Sequence, residues 1–157
     1  MPGTSTAQQR AFVALGSNLG DRWGYLRGGL ARLPDVVRVS PVYETRPVGG
    51  PADQELFLNM VAEMRTVATP HDLLAAARAA EAEAGRQRDV RWGPRTLDVD
   101  VLLVGTATVS TPELQVPHPR MWERGFVLVP LADLAPELVA GRLTDALRAG
   151  VTLAGTI

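Results

Sequence analysis

The chain of 157 residues contains no cysteine. That excludes disulfides, a thiolate zinc site and a thiol nucleophile, and it suits a reducing compartment, so a cytoplasmic location is expected. Lysine is absent as well: all 16 cations are arginine. Without lysine there is no Schiff base, no Walker-type phosphate loop and no ammonium base of depressed pKa, so any phosphate chemistry must use arginine forks or metal. Charge of either sign is not in excess. Sixteen cations face 17 anions for a net charge of −1, so no overall field draws the chain to nucleic acid or acidic lipid. The longest apolar runs, such as Val101-Leu102-Leu103-Val104, fall far short of a membrane span. Residues 1–9 lack the basic patch and apolar stretch of a signal peptide. With 46% apolar residues, the chain suits one globular domain with its own core. We expect a flexible tail over 1–9 and a single domain over 10–157.

Periodicity places the elements. Ala11 to Leu15 reads as a buried strand, and Gly16-Ser17-Asn18-Leu19-Gly20-Asp21 as the turn that opens a helix reaching about Leu33. This turn looks like a phosphate cradle, but it lacks both Gly-Lys-Ser/Thr and the Gly-x-Gly-x-x-Gly spacing, so Asn18 or Asp21 is read as a helix cap. Val36 to Glu44 predicts a second strand, and residues 46–54 a loop. From Leu56 to Val67 the alternation is cleanest. Leu56, Leu58, Met60, Ala62 and Met64 share one face, and Phe57, Asn59, Val61, Glu63 and Arg65 the other. Thr69, Pro70 and Asp72 open a helix with a capping-box spacing, which runs to Gly85. A polar, turn-rich loop (86–94) precedes a strand from Thr96 to Val104. A small hairpin follows over Thr106–Val109 and Glu113–Val116, then one helical turn within Pro117–Arg124 and short helices at Val127–Leu134 and Thr144–Arg148. Strand–helix–strand–strand–helix–strand is the split βαβ, ferredoxin-like layout of an α+β domain.

Asp98 and Asp100 carry the clearest chemistry. On a strand, residues i and i+2 share a face about 7 Å apart, with Leu97, Val99, Val101 and Leu103 turned to the core. Two ionised carboxylates so placed repel unless a cation sits between them, and oxygen-rich surroundings without thiols favour Mg²⁺. A bare Asp-x-Asp is more often a solvated strand face. The weighting changes because Arg86, Arg88, Arg91 and Arg95 stand immediately before the pair, opposed by Asp89 alone. Arginine forks beside a metal-carboxylate site are what a polyphosphate requires. Trp92 in the same loop is costly if it only faces water. His118 is held rigidly between Pro117 and Pro119, whereas His71 reads as surface. Ser17 has no visible His/Asp arrangement, so a hydrolase triad has no support.

The segment Arg91-Trp92-Gly93-Pro94-Arg95-Thr96-Leu97-Asp98-Val99-Asp100 resembles the signature of the 6-hydroxymethyl-7,8-dihydropterin pyrophosphokinase family of folate biosynthesis. The likeness extends through Ala11–Asp21, Phe57–Met60, Val116–Arg120 and Arg124–Phe126, leaving only residues 1–9 and the tail beyond about 140 outside it. It implies an ATP-dependent diphosphotransferase that moves the β,γ-pyrophosphoryl group to the pterin hydroxymethyl oxygen and leaves AMP. By the same resemblance Asp98 and Asp100 hold two Mg²⁺ ions. Arg86 and Arg95 take the phosphates with Arg88 as a weaker partner, and Arg124 and His118 approach the nucleotide from the other side. Glu81 is implied as a nucleotide-contacting acid, and Val101 and Leu114 as adenine contacts. Phe57 and Phe126 are implied to stack on the pterin, Asn59 to read its polar edge, Thr45 and Val48 to offer backbone groups, and Trp92 to close on both substrates. The loops 46–54 and 86–94 are implied to be lids. Phe57 stands where the family often has tyrosine, which keeps the stacking face and removes a hydroxyl.

Two rivals make different demands. An RNA-binding module of ferredoxin-like layout needs exposed aromatics on central strands and a basic surface; net charge −1 and acids expected on a central strand oppose it. A non-catalytic nucleotide-binding paralogue predicts ATP binding without AMP release. The expected partners are therefore ATP and a reduced pterin, with no nucleic acid and no membrane, and a monomer is expected.

Overall fold

The computed structural model describes residues 7–46, 55–85 and 96–157. Along the chain run β1 (Gln9–Ser17), α1 (Arg22–Arg32), β2 (Val36–Val39), β3 (Val42–Thr45), β4 (Phe57–Thr66), α2 (Pro70–Glu83) and β5 (Asp98–Val104). A two-stranded ribbon follows, β6 (Val109–Ser110) with β7 (Gln115–Val116), and then a 3-10 turn at Met121–Glu123. The carboxyl end holds α3 (Gly125–Leu134), α4 (Pro136–Val139), α5 (Asp145–Arg148) and β8 (Thr152–Gly155). Six strands form one sheet in the order β5-β1-β4-β3-β8, with β2 also paired to β4, and every pairing is antiparallel. The architecture is a mixed α+β fold.

Strict alternation divides the sheet between two cores. Ala11, Val13 and Leu15 of β1, with Leu58, Met60, Ala62 and Met64 of β4, face Leu26 of α1 and Leu73, Ala77 and Ala80 of α2. Phe12 and Val61 turn the other way, onto Met121 and Leu128, Leu131 and Leu134 of α3. Local chemistry sets the helix starts. Asp21 caps α1 by accepting the Gly24 N–H at 3.1 Å. Thr69 and Asp72 form the full capping box of α2, each side chain accepting the other's backbone N–H. Asn18 does not cap; its Nδ2 donates to the Glu55 carbonyl.

Several elements differ from expectation. The single strand expected over Val36–Glu44 is broken into β2 and β3 at Ser40-Pro41. There Pro41 has no N–H to give, and the Ser40 hydroxyl takes the Val61 N–H at 2.9 Å in place of a ladder bond. The strand carrying Asp98 and Asp100 is not central: among the described residues β5 ends the sheet, bonded to β1 alone within it. Its far side is partly closed by the segment after β7, where the His118 N–H donates to the Leu102 carbonyl at 3.0 Å. Leu103 does not join Val99 and Val101, because the register with β1 shifts between Phe12 and Val13 and turns Leu103 onto the α3 side. The amino-terminal strand opens at Gln9, inside the expected tail, while residues 1–6 lie outside the described residues. Neither α4 nor β8 was expected. Among the described residues no helix is long and apolar enough to cross a membrane.

Candidate active site

The sheet face toward α3 assembles the site. Directly paired residues on antiparallel strands project to the same face. Asp98 pairs with Gly16, Gly16 with Asn59, and Asn59 with Tyr43. One row across four strands therefore carries a carboxylate, a bare backbone, an amide and a phenol. Asp100 pairs with Ala14 one step along, while Phe57 and Thr45 pair with each other at the other end of the same face. Strands lie about 4.8 Å apart, so the amide of Asn59 and the carboxylate of Asp98 are separated by about 10 Å across Gly16.

The amide and the phenol of that row are held by hydrogen bonds. Asn59 is buried, and its Nδ2 donates to Thr45 Oγ1 at 2.7 Å. Its Oδ1 lies over Gly16, where a Cβ would come within 2.8 Å of it. Tyr43 donates its hydroxyl to the Asp133 carboxylate of α3. Burial, with that hydrogen bond, pushes the phenol up to about 12, so it stays protonated. Asp98 and Asp100 are both half-buried, and between them Val99 turns to the first core. The Val99 N–H donates to Glu81 Oε2 at 3.0 Å, which ties α2 to the strand at the level of the two acids.

Two clefts meet at Asp100. The larger, about 760 Å³, is lined by Thr45, Phe57, Asn59, Asp98, Asp100, Arg124 and Phe126, together with Arg120, Glu123 and part of the carboxyl-terminal segment. The smaller, about 260 Å³, is lined by Asp100, Val101, Leu114 and His118, with Leu74 and the β6–β7 turn. Asp100 faces both. Arg124 precedes α3 and places its guanidinium 5.6 Å from the centre of the Phe126 ring, a cation–π contact that fixes the two relative to each other. His118 accepts the Arg120 N–H at Nδ1, 3.2 Å away, which leaves the proton on Nε2. Burial holds its pKa below the usual imidazole value, Arg124 and Arg120 lower it further, and Asp98 opposes them in part. The ring is a neutral N–H donor at neutral pH.

The structure thus gathers eleven of the sixteen site residues expected from sequence into one region, with Glu81 behind β5 and lining neither cleft. Val48, Arg86, Arg88, Trp92 and Arg95 lie outside the described residues. Sequence reasoning assigned no role to Gly16, Arg120 or Glu123. The Arg120 position followed His118 in a quoted motif and could have been taken up; Gly16 needed the register.

Comparison with known proteins decides the family. The sequence profile of 7,8-dihydro-6-hydroxymethylpterin-pyrophosphokinase (HPPK) matches residues 12–136. The chain belongs to the HPPK family. It is 53% identical over 142 residues to the 2-amino-4-hydroxy-6-hydroxymethyldihydropteridine pyrophosphokinase of Pseudomonas aeruginosa, covering 87% of this chain and 85% of that one. Identity to the Bacillus subtilis enzyme of the same description is 50% over 133 residues, covering 82% and 79%. The activity is that of a pyrophosphokinase of folate biosynthesis. Among solved structures, a Plasmodium falciparum HPPK-DHPS chain superposes with a TM-score of 0.65 at 14% identity, a likeness of fold alone. It covers 92% of this chain, which in turn spans 43% of that longer one. The family match ends in α4, so α5 and β8 lie beyond it.

Proposed function

We propose that the larger cleft takes 6-hydroxymethyl-7,8-dihydropterin, the smaller takes the adenosine end of ATP, and the triphosphate crosses between them at Asp98 and Asp100. The observation that carries this reading is that Asp100 lines both clefts. In the transfer a bond forms from the hydroxymethyl oxygen to the β-phosphorus, the bridging bond to the α-phosphate breaks, the hydroxyl proton is released and AMP leaves. Positioning and charge compensation carry such a reaction, and neither lysine nor thiol is needed.

The donor set suits Mg²⁺. Two half-buried carboxylates stand on one strand face, and no group of three or more His, Cys, Asp and Glu forms a cage among the described residues. Magnesium is commonly held by one or two carboxylates together with water and phosphate oxygens. Asp98 and Asp100 would hold two such ions, which supply charge neutralisation to the triphosphate when bound. Phe57 and Phe126 offer ring faces to the pterin, and Asn59 presents Oδ1 to its polar edge while Thr45 fixes the amide's orientation. Val101 and Leu114 are the apolar floor for adenine. His118 donates Nε2–H and Arg124 its guanidinium toward phosphate oxygens. Glu81 acts behind the strand by holding the Val99 amide, and so the spacing of the two acids. Arg86, Arg88 and Arg95 supply further cations to the triphosphate, and Trp92 and Val48 complete the substrate contacts. We read the core as ferredoxin-like, since β2 and β3 together fill one place in the order β5-β1-β4-β2/β3. We take 10–157 as one domain, acting as a cytoplasmic monomer.

The test is AMP release from Mg²⁺-ATP with and without the pterin, in the parent protein and in Asp98→Ala and Asp100→Ala. The expected outcome is pterin-dependent AMP that either substitution suppresses, a loss of several kcal/mol of transition-state stabilisation with the fold retained. Full turnover in both variants would remove the carboxylates from the mechanism. ATP binding without AMP would favour a non-catalytic paralogue.

A further inference from the structure

The larger cleft has a wall that the family match does not reach. Ala146, Leu147, Ala149, Gly150 and Val151 line it together with Phe57, Asn59 and Phe126, and the match ends at residue 136. Local chemistry builds this stretch as a strap. Thr144 caps the single turn α5, accepting the Leu147 N–H at Oγ1. Ala149 is extended, and Gly150, at φ 78°, turns the chain in the left-handed region. Both ends of the strap are anchored to elements that bear cleft residues. At one end Leu143 and Leu147 pack on the α3 core, and the Leu147 carbonyl presses so close to Gly125 that a Cβ there would lie 1.7 Å from it. Gly125 immediately precedes Phe126. At the other end β8 pairs with β3, Leu153 opposite Tyr43 and Thr152 opposite Glu44, one residue before Thr45.

The wall's composition says which substrate it meets. All five residues are small or apolar and none carries charge, which suits the edge of a flat heterocycle and offers nothing to a triphosphate. We propose that residues 143–155 form the third wall of the pterin cleft, with Leu147 and Ala149 setting its width and with it the selection of the pterin. This rests on the assignment of the larger cleft to the pterin. Leu147 does so partly as a positioning residue, its side chain packing against the same core that holds Phe126. Ala149 acts directly, from an exposed rim where a larger side chain enters the cleft without disturbing the core.

The test is steady-state kinetics with each substrate varied in turn, on Ala149→Phe, Leu147→Ala and Asn59→Ala, with thermal melting alongside. Ala149→Phe is expected to raise the pterin KM about tenfold while the ATP KM stays within about twofold and the melting midpoint holds. Leu147→Ala also raises the pterin KM, with a lower midpoint from its lost packing. If both strap variants keep the parent pterin KM while Asn59→Ala raises it, the strap inference falls and the cleft assignment stands. If Asn59→Ala leaves the pterin KM unchanged as well, both fall together. A rise confined to the ATP KM in the strap variants would overturn the choice of substrate.

Discussion

Gly16 stands between a carboxylate and an amide with no side chain of its own, paired to Asp98 on one strand and to Asn59 on another. Glycine in a strand interior ordinarily weakens it, and here the missing Cβ leaves room for Asn59 Oδ1. An added methyl would meet that oxygen at 2.8 Å and the Phe57 ring at 3.6 Å. The amide would have to swing away and give up its bond to Thr45 Oγ1. Gly16→Ala is therefore expected to raise the pterin KM about tenfold, the scale of one hydrogen bond lost, with the ATP KM little changed. Kinetics with each substrate varied separately checks this, and equal changes in the two constants would contradict the division of the site. The two acids were legible from their spacing, because period two needs only the strand itself. Gly16 was not, because its importance depends on which residues of β4 and β5 lie beside it. Glu81 was implied by the resemblance as a nucleotide contact, but its bond to the Val99 N–H was not legible for the same reason, since it joins a helix to a strand eighteen positions away.

At the scale of elements, one buried charge cluster fixes α3 to the sheet. Glu63 of β4, with its carboxylate almost wholly buried, accepts from Arg10 of β1 at 3.0 Å and from Arg38 of β2 at 2.6 Å. Both guanidiniums also donate to the Leu134 carbonyl at the end of α3, and Arg10 reaches Glu137 of α4. The helix that carries Phe126 at its start is thereby pinned at its finish. Burial raises the Glu63 pKa, and the hydrogen bonds from Arg10 and Arg38 more than offset this, so it lies below the ordinary 4.5. A depressed carboxyl contributes stability that is complete above its unfolded pKa and is lost as pH falls through the folded value. We expect the melting midpoint to drop between about pH 5 and pH 3, and Glu63→Gln to be flatter across that window. At pH 7 the variant should be less stable by about 2 kcal/mol, the value of hydrogen bonds to a charged group. Exposed Glu113 and Glu137, whose pKa values are also lowered, leave a residual slope, but parallel curves for the two proteins would show that the cluster contributes nothing. Sequence placed Glu63 on the face of β4 opposite Leu58 and Met60 and gave no sign of its partners. Caps and alternation are local and could be read. Breaks such as Ser40-Pro41 and late strands such as β8 depend on a distant partner, and were missed for that reason.

For the molecule as a whole, the antiparallel order sets β5 and β8 at opposite ends of a sheet five strands along its path, and one cleft spans from Asp98 and Asp100 of β5 to Val151, just before β8. The α+β class and the order of its elements were readable because each helix and strand has its own period. The meeting of the two clefts was not, because it depends on β5 lying at the sheet's end, where Asp100 is accessible from both sides. That arrangement makes the two substrates separable by linkage. A ligand that binds only the folded state raises stability by RT ln(1 + [L]/Kd), about 2.7 kcal/mol at a hundred times Kd. With Mg²⁺ and an ATP analogue that cannot transfer its β,γ-pyrophosphoryl group, the parent protein should gain one shift in melting midpoint, and the pterin should add a second. Asp98→Ala is expected to lose the first shift. Asn59→Ala should keep it and lose the increment from the pterin, because its amide lies two strands from the acid. If both variants lost both shifts equally, the site would behave as one indivisible pocket, and the assignment of separate clefts to nucleotide and pterin would have to be withdrawn.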